Sequence, residues 1–221
     1  MSNYGDVKNF FEEIMEDETF GEDFVMDLFA QAELELAMER PWEVFTVYGE
    51  TFSYTSGDTY LTNYTLPATA LYLISLNLDR SISEYKEQIR MAYRYRHQSN
   101  SKYFAVDFRN SRIHIMGTRN ASGTAYVDYV FRPTYPVAGG TPPWPVPFRS
   151  VVAYRAAAIL KGAVDADDIS RVLSPNLSAA YNRVMNALLI WDGRLKQQGK
   201  SPVDVAVSQR DFPLQTVNLG V

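Results

Sequence analysis

"TYPVAGGTPPWPVPFRSVVAYRAAAIL", residues 134–160, decides how the rest of the chain is read. Its first half carries prolines at 136, 142, 143, 145 and 147 and the adjacent pair Gly139 and Gly140, which excludes a regular helix or an interior strand. Its second half is rich in alanine and apolar residues at helical spacing, with no breaker before Gly162. A stiff, proline-rich ramp over 136–147 therefore leads straight into a helix over 147–162. The residues alone leave two readings of the ramp open. It is an ordinary rigid surface loop, or it is a device that returns the chain to a helical unit at a fixed angle.

Downstream, Ser174 and Pro175 read as an N-cap and a first helical position. Leu177, Tyr181, Val184, Leu188, Trp191 and Leu195 then recur at intervals of four and three, predicting a helix over 175–198. It should bury one full side, at about 1.5–3 kcal/mol per large apolar residue. Beyond Gly199 the periodicity ends, prolines stand at 202 and 213, and residues 200–221 read as an extended arm.

Upstream of the ramp, "YFAVDF", an "RNS" turn, "RIHIM" and "TAYVDYVF" form three short strands within 103–131. "SISEYKEQIRMAYRYR" begins with Ser81 and Glu84 in capping-box relation and predicts a short helix near 82–96. "ALYLISLNL" alternates like a strand, and "TVYGETFSYTSGDTYLTNYTLP" has strand and hairpin composition around a Ser56, Gly57, Asp58 turn. Before these, Val25, Leu28, Phe29, Ala32 and Leu36 share one helical face, and Pro41 ends that helix by forcing Arg40 out of the helical region. Phe10, Phe11 and Ile14 suggest a shorter helix ahead of it.

The expected class is α+β. The residues give long helices near 22–40, 147–162 and 175–198, antiparallel strands and an extended C-terminal arm; a predominantly helical bundle with the antiparallel β region as an inserted lobe is what the family resemblance set out below implies. Residues 1–45 supply N-terminal helices, 46–135 the β-rich insertion, 136–147 the ramp, 148–199 the C-terminal helices and 200–221 the arm, within one structural domain overall.

The 221 residues, 46% hydrophobic and 21% charged, suffice for an ordinary core. There is no cysteine, which excludes disulfides, thiolate metal sites and a cysteine nucleophile. The first residues lack the basic and apolar regions of a signal peptide, and no apolar run approaches the roughly 18 residues of a membrane helix, so a soluble chain is expected. The net charge of −5 is unevenly spread. Residues 1–40 carry twelve acidic groups against Lys8 and Arg40, whereas 41–221 carry fourteen acidic and nineteen basic ones. That asymmetry is either a solvated acidic helix face or a device by which opposite ends of identical subunits attract.

No catalytic constellation emerges. His97 and His114 have no ligand partner at metal-site spacing, and "DADD" at 165–168 lacks the glycine and closing glutamate of a calcium loop, so it reads as a helix start. A phosphate-binding glycine loop and a nucleophile elbow are both missing. The carboxylates of residues 12–23 fit an exposed helix face better than an acid/base pair. "YKEQIRMAYRYRHQSNSKYFAVDFRNSR" mixes arginines with tyrosines, as single-strand-binding surfaces do, but a basic surface facing an acidic partner fits as well. No cofactor or metal is expected.

The order of the segments resembles the head-to-tail connectors of tailed bacteriophages, the adaptors that dock beneath the portal ring. The likeness runs over 25–198, through "RPWEVF", "YTLPATALYL", "YFAVDFRNSRIHIMG", "AYVDYVFRP", "TPPWPVPF", "RSVVAYRAAAIL" and "LLIWDGRLK". The resemblance implies a non-enzymatic virion protein at the neck, between head and tail, made in the host cytoplasm. It implies a homo-oligomeric ring, usually of twelve copies, contacting the portal and downstream tail proteins. Genomic DNA would pass through the ring without sequence-specific binding, and no membrane is involved. The candidate inter-subunit or portal contacts are Arg90, Arg94, Arg96, Trp144, Asp211, Phe212, Leu214, Val217 and Leu219. The alternatives are a tail-tube or tail-terminator component or, from another class, a small carbohydrate-binding or hydrolytic domain using the tyrosines of the β region.

Overall fold

The computed structural model describes residues 1–16, 18–56, 65–78, 86–90, 103–107, 109–115, 122–162 and 169–197. Among these residues five α-helices and six strands follow in order: α1 Tyr4–Ile14, α2 Glu22–Glu39, β1 Thr46–Tyr54, β2 Ala70–Leu78, β3 Lys86–Arg90, β4 Tyr103–Asp107, β5 Arg112–Ile115, β6 Gly123–Phe131, α3 Ser150–Leu160, α4 Ile169–Val172 and α5 Pro175–Gln197. The class is α+β.

Helix α3 explains the arrangement. Every residue from Val151 to Ala158 is buried, including Arg155, so the helix has no solvent face along that run. Such a helix needs neighbours all round, and α1, α2 and α5 each pack on it. Four alanines, Ala153, Ala156, Ala157 and Ala158, keep its outline slim enough for that company. Gly162, at φ +93°, ends the helical run in the left-handed region that glycine tolerates.

Helix α2 buries Val25, Leu28, Phe29, Ala32 and Leu36 as its periodicity requires, and Arg40 leaves it in an extended conformation at φ −165°. Helix α1 contributes Val7, Phe11 and Ile14 to the same core, with Phe11 edge-on to Phe29. Helix α5 departs from expectation. Its most deeply buried residues are Ser178, Tyr181, Leu188 and Asp192, while Leu177, Val184, Trp191 and Leu195 are only half-buried. The inward side is rotated toward Ser178 and Asp192, because Asp192 is drawn to the end of α2.

The strands form one six-stranded sheet in the order β1-β6-β2-β3-β4-β5. Two expectations are corrected. Lys86–Arg90, inside the helix expected over 82–96, is a strand hydrogen-bonded to β2, so pairing overrides the capping-box signal. The lobe is not wholly antiparallel, because β3 and β4 run parallel. The connection over 91–102 is long enough for the crossover that a parallel pair demands. Strand β1 pairs with the distant β6, Thr46 opposite Val130; residues 57–64, which carry the rest of the expected hairpin, lie outside the described residues. A bulge interrupts β1 between Val47 and Glu50, where Gly49 adopts φ +66° and donates its N–H to Asp128.

Two apolar cores result. One joins the helices to Val130, Trp42, Phe45 and Trp144. The other is the sheet's own, built from residues such as Phe52, Leu76, Phe104, Ile113 and Val127. Leu71, Tyr72, Ile74 and Phe131 pack on the helical core, so the sheet is seated against the helices along β2 and β6.

The ramp is bolted at both ends. Tyr4 and Gly5 donate their backbone N–H groups to Gly140 (2.9 Å) and Ala138 (2.8 Å). Trp144, fully enclosed, meets Trp42 edge-on at 5.6 Å and Phe45 at 5.0 Å. Trp144→Ala should therefore cost about 3–5 kcal/mol by leaving a cavity between sheet and helices. Equilibrium denaturation measures this, and a loss below about 1 kcal/mol would mean the site collapses freely.

Candidate interaction surface

Three charged side chains in the helical core show how the polar chemistry of this chain is deployed. Asp192, fully buried on α5, accepts from Arg40 (3.1 Å), Lys196 (2.7 Å) and the backbone N–H of Glu43 (2.7 Å). Lys196 also donates to the carbonyl of Pro41. Four residues from α5 and the turn after α2 are thus tied through one carboxylate. Arg155, the only charge in α3, reaches Glu35 at 2.7 Å and Glu39 at 3.2 Å on α2. It also lies against Tyr181, whose phenol is pushed up to about 12, by burial first and then by Glu39.

Glu33 is different. It sits on the apolar face of α2, between Phe29 and Leu36, and is fully buried. Tyr4 donates to both carboxylate oxygens at 2.8 Å, and no cation is bonded to it among the described residues. Burial raises its pKa to about 7, against smaller lowering contributions from Tyr4 and the Trp144 indole. The folded pKa therefore lies above the unfolded one. Between the two, the folded chain holds the extra proton, so stability falls as pH rises and the full penalty stands above about pH 7.

Arg149, at the head of α3, completes the polar fastening. It donates to Trp144 (2.9 Å), Met1 (3.0 Å) and Ser2 (2.7 Å) carbonyls. All these groups hold elements together, and their bonds are directed inward.

The outer surface carries charge of opposite sign on different helices. On α2, Glu22, Asp23 and Asp27 are exposed, and on α5 the exposed charges are Arg183 and Arg194. Among the described residues, no group of three or more acidic or histidine side chains could hold a metal ion. No described helix is long and apolar enough to cross a membrane.

The contacts predicted from sequence are dispersed. Trp144, expected at a subunit or portal surface, is instead interior, because its indole fills the gap between Trp42 and Phe45. Arg90 stands in β3, paired with Phe104 of β4. Arg94, Arg96, Asp211, Phe212, Leu214, Val217 and Leu219 lie outside the described residues, as does the "DADD" stretch. Sequence reasoning missed Glu33, Asp192, Arg149 and Arg155. Glu33 was findable as a lone acid three and four residues from Leu36 and Phe29, and Asp192 as the single acid of a basic helix. No protein-family model matches the chain, and neither does any curated protein.

Glu33→Gln keeps an acceptor for Tyr4 and removes the ionisable group. The variant should gain about 3 kcal/mol over wild type at pH 8–9 and little at pH 5. Denaturant melts at the two pH values measure the difference; equal effects at both would place the carboxylate in a wetter site.

Proposed function

We propose that this chain is a structural component of a bacteriophage neck, a head-to-tail connector whose copies ring the channel below the portal and present a docking surface for the tail. The reading rests on the segment order set out above, from the helix ending at "RPWEVF" to the helix ending at "LLIWDGRLK". The observation that carries it is the fastening of the ramp. Trp144 is wedged between Trp42 and Phe45, Arg149 grips Met1 and Ser2, and Gly140 and Ala138 receive α1. A ring subunit that transmits load between two larger assemblies needs its sheet and helices fixed at one angle, and this joint supplies stiffness where a flexible loop would yield.

In this role the protein acts by geometry alone. Its partners are further copies of itself, the portal and a downstream tail protein, with DNA passing through the ring without sequence-specific contact. The arm, residues 200–221, is the segment that contacts a neighbouring subunit or the portal.

Mixing the full chain with portal and measuring mass under near-native conditions tests the reading: a defined ring on the portal is expected, and a chain that ignores portal at every concentration refutes it. Removing residues 200–221 should leave the melting temperature of the free chain within about 2 °C of wild type. Docking should be abolished in the same variant, so unimpaired docking would remove the arm from the mechanism.

A further inference from the structure

The outward edge of α5 is a ridge. Arg183, Ala187, Ile190 and Arg194 succeed one another at spacings of four, three and four, which aligns them along one side of the helix. That side lies almost opposite the one carrying Ser178, Tyr181, Leu188 and Asp192 inward. All four ridge residues are exposed, Ile190 at 58%. The only acid of α5 is Asp192, already buried and bound, so the ridge presents cationic charge around an apolar centre with no acid on α5 to offset it.

A surface of matching chemistry stands on the first half of α2. Asp23, Phe24 and Asp27 are exposed, Phe24 at 46%. Beside them Tyr135, 58% exposed, donates its hydroxyl to Asp27 at 2.9 Å. Two carboxylates next to exposed aromatic rings are the surroundings that a guanidinium favours, offering charge-assisted hydrogen bonds and a stacking face together. The chain cannot satisfy this patch with its own ridge. Helix α2 meets α5 at its far end, where Arg40 binds Asp192. Asp27 lies roughly 20 Å back along the axis from there, and the ridge points away from the helical core.

We infer that the α5 ridge of one copy docks on the Asp23, Phe24, Asp27 and Tyr135 patch of the next copy. This deepens the ring reading above by naming the two faces that meet. Because the faces differ, the contact is heterologous, and repetition closes a ring or continues as a filament. Ile190 supplies the apolar centre and the arginines set the register.

Sedimentation velocity on the full chain at low ionic strength tests it without portal, so failure here leaves the portal assay standing and failure there leaves this contact standing. Wild type should self-associate, and less so as salt is added. Arg183→Glu with Arg194→Glu should lower the association constant about tenfold or more, as should Asp23→Lys with Asp27→Lys. Combining all four substitutions in one chain should restore association, and that restoration also shows that the reversed surfaces fold. A wild type that stays monomeric, a reversed pair without effect, or a fourfold variant as weak as either pair overturns the contact. The last outcome would mean that the two faces do not pair with each other.

Discussion

A helix with no solvent face is the constraint that orders this molecule. From Val151 to Ala158 every side chain of α3 is enclosed, so each surrounding element has to arrive in the right place for the helix to exist at all. Burying that run is favourable, since each large apolar side chain withdrawn from water is worth a few kcal/mol. It also fixes the price of its one charge. Arg155 is tolerable because Glu35 and Glu39 on α2 receive it, and this pairing fixes the position of α2 along α3. The same logic sets α5, where Asp192 turns the helix away from its apolar stripe toward Arg40 and Glu43.

The three acid sites of the helices therefore do different things. Asp192 has cations and a backbone donor and behaves as a fastener. The Glu35 and Glu39 pair neutralises a charge that the core could not otherwise hold. Glu33 has only neutral donors among the described residues, and burial raises its pKa. Keeping a carboxyl there costs stability at neutral pH and gains a specific link from α2 to Tyr4 on α1.

Much of this was legible in the sequence. The apolar face of α2, the exit at Arg40 forced by Pro41, the stop at Gly162 and the start of α5 at Pro175 all follow from local chemistry, which one residue and its neighbours decide. The turn at Asn110 and Ser111 belongs to the same class, with Asp107 accepting from Asn110. What could not be read is non-local. Nothing near Lys86 announces that β2 will hold it as a strand, and nothing near Thr46 names Val130 as its partner. Trp144 looked like a surface anchor because its prolines looked exposed; only the positions of Trp42 and Phe45 show the slot it fills. The charged ridge of α5 was hidden by its apolar stripe, which drew attention to the wrong side of the helix.

The pairing of β1 with β6 bears on how the chain comes off the ribosome. Sheet formation between β1 and β6 requires residues near 46 and 130 to meet, so this pairing must wait until the sixth strand has been synthesised. Long-range pairings of this kind slow folding, because a large loop has to close before the contact rewards it. During that interval the side of β1 that β6 will occupy is open to other nascent copies. The bulge at Gly49 disrupts its regular hydrogen-bonding row, which makes this edge a poorer template for aggregation while the matching strand is still being made.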